Sequence, residues 1–133
     1  MKKRVKVVAA VIENSEKELL CALRSNDMSL PNVWEFPGGK VENGEDFGTA
    51  LEREIKEELH CSIRAGELLH THVHEYEKAI VELNCLSAVI EKGEPHASEH
   101  AKLLWLPKEN LTSLQWAPAD IPAVDFLTTK VSR

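Results

Sequence analysis

The chain has 133 residues, 43% of them hydrophobic and 29% charged, and a formal net charge of −6. That length suits one compact domain over residues 1–133, with a core that needs neither disulfide nor structural metal. The acidic balance excludes a broad grip on polymeric nucleic acid, which rests on many Lys and Arg contacts to phosphates.

Three scattered cysteines, Cys21, Cys61 and Cys85, lack any C-x-x-C spacing and fit reduced thiols in a cytoplasmic protein. The basic and then apolar start, MKKRVKVVAAVIENSEK, is too short and ends at Glu13 without a cleavage pattern, so it reads as a strand and not as a secretory signal. No apolar run approaches the roughly 20 residues that cross a bilayer. An acidic protein can still hold a small anionic substrate if divalent cations stand between its carboxylates and the phosphates.

In chain order, Val5, Val7, Ala9 and Val11 alternate with their neighbours, and so do Leu19, Cys21 and Leu23 after the turn-like Glu13-Asn14-Ser15, which predicts two strands. Residues 25–44 are rich in Ser, Asn, Asp, Pro and Gly and read as a long functional loop ending in Trp34-Glu35-Phe36-Pro37-Gly38-Gly39. From Asp46, a suitable N-cap, Phe47, Ala50, Leu51, Ile55 and Leu59 recur at helical steps. Residues 64–76 and 79–90 read as strands joined near Glu77-Lys78, and Leu103–Leu106 as a shorter one. Pro107–Leu111 and Pro118–Thr129 read as a short helix and a terminal helix. The expected class is α+β, a mixed sheet sandwiched between helices.

On the central helix Glu54, Glu57 and Glu58 lie three and four residues apart and crowd one face. Like charges at i,i+4 cost an isolated helix roughly 0.2–0.5 kcal/mol. Arg53 can pair with Glu57 and Glu52 with Lys56, but Glu54 and Glu58 have no basic residue four positions away. A bound Mg²⁺ or Mn²⁺ would compensate them.

Gly39, Glu45, Arg53, Glu54, Glu57 and Glu58, with Ile55 at the aliphatic position, fill six of the seven fixed positions of the pattern G-x5-E-x7-R-E-U-x-E-E-x-G-U. The chain therefore resembles the Nudix hydrolases, and its MutT-type members over nearly its full length. His60 and Cys61 depart from the pattern at its end, where Gly and an aliphatic residue are usual. That puts the geometry of the helix end in question more than the metal site, because the Gly position ends the helix in a left-handed conformation.

The resemblance implies a Nudix fold and an Mg²⁺-dependent hydrolase that converts a nucleoside triphosphate into the monophosphate and pyrophosphate, a nucleotide-pool sanitation activity. It implies a small-molecule partner and no polymeric nucleic acid or membrane, in a monomer or homodimer. Carried over by position, Glu57 and Glu58 look like metal ligands and Gly39 like a backbone-carbonyl ligand. Glu54 looks like the carboxylate that orients or deprotonates water at the metal, held in place by Arg53, with Glu45 as support. Glu99 is the candidate for the further glutamate that family members often supply from a late loop.

Trp116-Ala117-Pro118-Ala119-Asp120-Ile121-Pro122 resembles the base-reading stretch of MutT-type enzymes, with Asp120 at the reading position. That run and Ser98-Glu99-His100 look most like the CTP pyrophosphohydrolase subgroup. An ionised Asp only accepts hydrogen bonds and favours a base with an amino group, such as cytosine; a protonated one can donate to guanine O6, which leaves 8-oxo-dGTP open. Arg24, Trp34, Gly38 and Gly39 complete the candidate substrate contacts. ADP-ribose and other Nudix substrates, and a binding module without catalysis, are the rival readings. His70, His72 and His74 would share one strand face, and half-exposed polar residues are the commoner explanation of such a row than a transition-metal site.

Overall fold

The computed structural model describes residues 2–129. Its elements in chain order are β1 (Lys3–Ile12), β2 (Glu18–Leu23), β3 (Trp34–Glu35), β4 (Gly38–Lys40), α1 (Phe47–Leu59), β5 (Ser62–Glu75), β6 (Ala79–Lys92), β7 (Lys102–Pro107) and α2 (Ile121–Thr129). Two 3-10 turns, Lys108–Ser113 and Pro118–Asp120, precede α2.

A four-stranded mixed sheet has the order β4-β1-β6-β5, and a three-stranded antiparallel sheet the order β3-β2-β7. β1 is central and runs parallel to β6, with Val5 opposite Val81 and Ala9 opposite Cys85. Its last five residues, Val8–Ile12, are all buried because both faces of the sheet are covered.

The period of two divides these strands between two cores. Val8, Ala10, Ile12 and Leu20 pack with Ala50, Leu51, Ile55 and Leu59 of α1. Ala9, Val11, Leu19 and Cys21 pack with Phe36, Trp116 and the α2 residues Ala123, Val124 and Leu127. The sheets thus lie between the helices, the α+β sandwich expected from the sequence.

The structure departs from the sequence reading inside the loop of residues 25–44. Trp34–Glu35 pairs with β2, and Gly38–Lys40 pairs with β1, so this segment contains two short strands. Periodicity cannot reveal strands of two and three residues. Gly38 is required there: a Cβ would overlap the Val8 carbonyl oxygen of the neighbouring strand. The short helix expected at Pro107–Leu111 is a 3-10 turn shifted to Lys108–Ser113, and the terminal helix begins at Ile121 after the Pro118–Asp120 turn.

α1 starts where the sequence places it. Asp46 Oδ2 accepts from the Thr49 amide at 3.2 Å, and the helix ends at His60 with φ 60° and ψ 32°, the left-handed conformation that the Gly position of the pattern calls for. The His60 amide still donates to the Lys56 carbonyl, so the departure from Gly leaves the helix end formed.

Candidate active site

α1 and the β4 strand that precedes it bring the patterned residues together. The Arg53 guanidinium donates to both Glu45 oxygens at 2.7 and 2.9 Å, to Glu54 Oε2 at 2.9 Å and to the Lys40 carbonyl at 3.1 Å. Arg53 therefore fixes Glu54 and ties the helix to the loop before it. Its hydrogen bonds, with one from the Glu42 amide, hold the Glu45 carboxyl down at about 2.

The helix-surface pairs expected from spacing are not the main ones. Arg53 Nη1 is 3.7 Å from Glu57 Oε1, too long for a hydrogen bond, and Glu57 stays exposed. Glu52 accepts instead from the Ala65 amide at 3.0 Å. The Glu54 side chain lies directly against Gly39, where a Cβ would overlap its carboxylate. Glycine at position 39 thus leaves room for the Glu54 carboxylate against the β4 backbone.

Glu58 is the electrostatic anomaly of the helix. Burial pushes its carboxyl up to about 7, repulsion from Glu54, Glu35 and Glu99 adds to this, and His100 opposes it. Its Oε1 is buried with no hydrogen-bond partner among the described residues. A carboxylate oxygen buried without a donor is costly unless a cation meets it, so the residues present fit a hard divalent ion. Among the described residues no three His, Cys, Asp or Glu side chains enclose an ion by themselves. The α1 carboxylates form an open face, as suits Mg²⁺, which keeps waters and takes phosphate oxygens as further ligands.

The late loop reaches this face. The His96 amide donates to the Leu59 carbonyl at 2.8 Å, and Ser98 Oγ to the Glu58 carbonyl at 2.7 Å. Glu99 itself is exposed, close enough to raise the Glu58 pKa.

At the other end of the site Asp120 is buried and accepts from the Phe36 amide at 3.0 Å. Burial raises its carboxyl to about 8, with Glu35 pushing the same way and the Phe36 amide and Arg24 opposing. The upward push favours the protonated form over the ionised one assumed for an acceptor-only aspartate. A neutral carboxyl presents a donor and an acceptor.

Arg24 is not a free fork. Its Nε donates to the Ser29 and Leu30 carbonyls at 2.7 and 3.1 Å, Nη1 to Glu35 at 2.8 Å and Nη2 to Ser29 Oγ at 3.2 Å, so it orders the loop after β2. Trp34 is half-buried against the α2-side core, its amide bonded to the Gln115 carbonyl, beside Asp120's segment.

Sequence reasoning missed Glu35, His100 and Tyr76. Glu35 joins Arg24 to His100, whose Nε2 lies 2.8 Å from Glu35 Oε2. The Tyr76 hydroxyl accepts from the Ala119 amide at 3.0 Å. One signal was available: a glutamate wedged between Trp34 and Phe36.

His70, His72 and His74 do form a half-buried row, continued by Tyr76, with His70 against Phe126 at 5.1 Å and His74 against Tyr76 at 4.6 Å. A cavity of about 970 Å³ lies elsewhere, lined by Val11, Glu13, Leu19, Gly66, Ser87 and Phe126, and none of the candidate site residues borders it.

Comparison with known proteins agrees with this geometry. Residues 3–127 match the NUDIX domain family. The chain is 37% identical over 132 residues to the CTP pyrophosphohydrolase of Escherichia coli K12, covering 98% of this chain and 97% of that protein. It is 27% identical to the 8-oxo-dGTP diphosphatase of the same organism, covering 92% of this chain and 95% of that protein.

Among solved structures it resembles the MutT protein, a Nudix hydrolase, of methicillin-resistant Staphylococcus aureus 252, at 47% identity and a TM-score of 0.78, over 98% of this chain and 99% of that one. It also resembles the E. coli ORF135 protein, at 35% identity and a TM-score of 0.83, over 99% of this chain and 94% of that one. With the domain match over residues 3–127 and the relative at 37% identity over nearly the whole chain, the chain belongs to the Nudix hydrolases.

Proposed function

We propose that this enzyme is an Mg²⁺-dependent nucleoside triphosphate pyrophosphohydrolase acting on CTP, dCTP or modified dCTP. The observation that carries the reading is the α1 face, where Arg53 holds Glu54 against Gly39 and Glu58 keeps a buried oxygen without a donor. Glu57, Glu58, Glu99 and the Gly39 carbonyl would hold Mg²⁺ or Mn²⁺. When bound, the cation neutralises phosphate charge and lowers the pKa of a bound water.

Glu54, fixed by Arg53, accepts a proton from the attacking water. A new oxygen–phosphorus bond forms as the anhydride between the α- and β-phosphates breaks, giving the nucleoside monophosphate and pyrophosphate. Glu45 keeps Arg53 in place, and Asp120 meets the base.

Similarity to the CTP pyrophosphohydrolase over nearly the whole chain supports cytosine. The second reading, 8-oxo-dGTP, is supported by the similarity to the 8-oxo-dGTP diphosphatase, and the upward push on the Asp120 carboxyl is compatible with either base, since a neutral acid can donate to guanine O6 or to cytosine N3. The test is pyrophosphate release with Mg²⁺ from CTP, dCTP, 5-methyl-dCTP, dGTP and 8-oxo-dGTP, with ADP-ribose hydrolysis followed as nucleotide release. The highest kcat/KM on a cytidine nucleotide is expected. A preference for 8-oxo-dGTP or ADP-ribose, or nucleotide binding without turnover, would overturn the cytidine reading.

A further inference from the structure

The Glu35 carboxylate stands between the two ends of the site. One oxygen accepts from Arg24 at 2.8 Å and the other contacts His100 Nε2 at 2.8 Å. The pair is sequestered: the His100 side chain is 2% exposed and that of Glu35 19%. Arg24 organises the loop after β2, and the residue following Glu35 gives its amide to Asp120. His100 directly follows Glu99, and the next amide, Ala101, donates to the Leu23 carbonyl.

We propose that Glu35 is a positioning residue that couples the nucleoside side of the site, Arg24 and Asp120, to the loop that carries Glu99, through its shared contact with His100. The proposal rests on the pyrophosphohydrolase reading for its functional consequence, but its structural core does not. A carboxylate gripped from both sides cannot move toward one partner without loosening the other. A disturbance at Arg24 is therefore transmitted to the Glu99 loop, and one at His100 to the base pocket. Among the described residues Arg24 and His100 share no direct hydrogen bond or ion pair, and Glu35 is the side chain that contacts both, beside the backbone bond from the Ala101 amide to the Leu23 carbonyl.

The experiment is a double-mutant cycle of Arg24→Ala and His100→Ala, with Glu35→Gln as a variant that keeps the size of the side chain and removes its charge. For each protein, kcat and KM on CTP and 8-oxo-dGTP, the Mg²⁺ concentration for half-maximal rate, and Tm without nucleotide are measured. His100→Ala should change the ratio of kcat/KM for the two nucleotides by about threefold or more, although His100 lies on the metal side. Arg24→Ala should raise the half-maximal Mg²⁺ by a similar factor, although Arg24 lies on the base side. Glu35→Gln should do both, and the double variant should lose less than the product of the single losses.

An unchanged base ratio in His100→Ala together with an unchanged Mg²⁺ requirement in Arg24→Ala overturns the proposal, as do losses that multiply. If the wild-type protein turns over no triphosphate, the functional reading fails, and the coupling is read from Tm alone. A Tm loss in the double variant equal to the sum of the single losses then refutes the shared carboxylate, and a smaller loss supports it.

Discussion

Replacing Asp120 with Asn removes a titrating group without changing its shape, and the Asn side-chain oxygen can still accept from the Phe36 amide. In the wild type the carboxyl is raised from 3.8 to about 8, first by burial and then by Glu35, against the Phe36 amide and Arg24. The folded state thus holds a proton that the unfolded chain has released, so stability is fully present below the unfolded pKa and falls as pH rises toward about 8.

Between pH 5 and pH 8 this linkage amounts to roughly 4 kcal/mol at 1.36 kcal/mol per pKa unit. Urea unfolding at pH 5, 6, 7 and 8 measures it. Asp120→Asn should gain on the wild type by about that amount across the range, and because the other titrating groups are common to both proteins they cancel in the difference. A stability difference independent of pH would refute the neutral, buried Asp120.

Three further substitutions separate function from stability. Gly39→Ala puts a methyl group where the Glu54 carboxylate lies; since a flexible side-chain end can move aside, the protein should fold while turnover falls about a hundredfold, measured by pyrophosphate release. Glu58→Gln should cost about a hundredfold or more in turnover while thermal unfolding stays at or above the wild-type temperature, because the lost carboxylate has a buried oxygen without a protein donor; a large drop in Tm would mark Glu58 as structural. His60→Gly should raise stability in urea by about 0.5–1 kcal/mol, since His60 is exposed and held at φ 60°, a conformation Gly adopts freely.

What the sequence made legible was what has a period or a fixed spacing. α1 showed itself through Ala50, Leu51, Ile55 and Leu59 at helical steps and Asp46 at its start, and the long strands through alternation. The carboxylate face could be read because Glu54, Glu57 and Glu58 come from one helix and Gly39 and Glu45 from the segment just before it. Strands β3 and β4 could not, since two or three residues carry no period and form only because β1 and β2 offer edges for pairing.

The same limit hid the far side of the site. Glu35 and His100 meet across 65 residues of sequence, so the glutamate between Trp34 and Phe36 could draw notice by itself but its partner could not be read from either neighbourhood. Asp120 was singled out by its motif, but the upward push on its carboxyl comes from burial that only the packed turn before α2 supplies. Arg24 was placed among the substrate contacts from its position at a strand end, and its bonds to Ser29, Leu30 and Glu35, which span the loop and the sheet, could not be read from that position.

The central proposal is that the α1 carboxylates act with a divalent cation on a triphosphate. Pyrophosphate release from CTP by the wild type and by Glu57→Gln, each with Mg²⁺ and with EDTA, tests that directly. The account predicts turnover only for the wild type with Mg²⁺, with Glu57→Gln reduced by orders of magnitude at unchanged folding. Undiminished release by Glu57→Gln, or release that persists in EDTA, would contradict it.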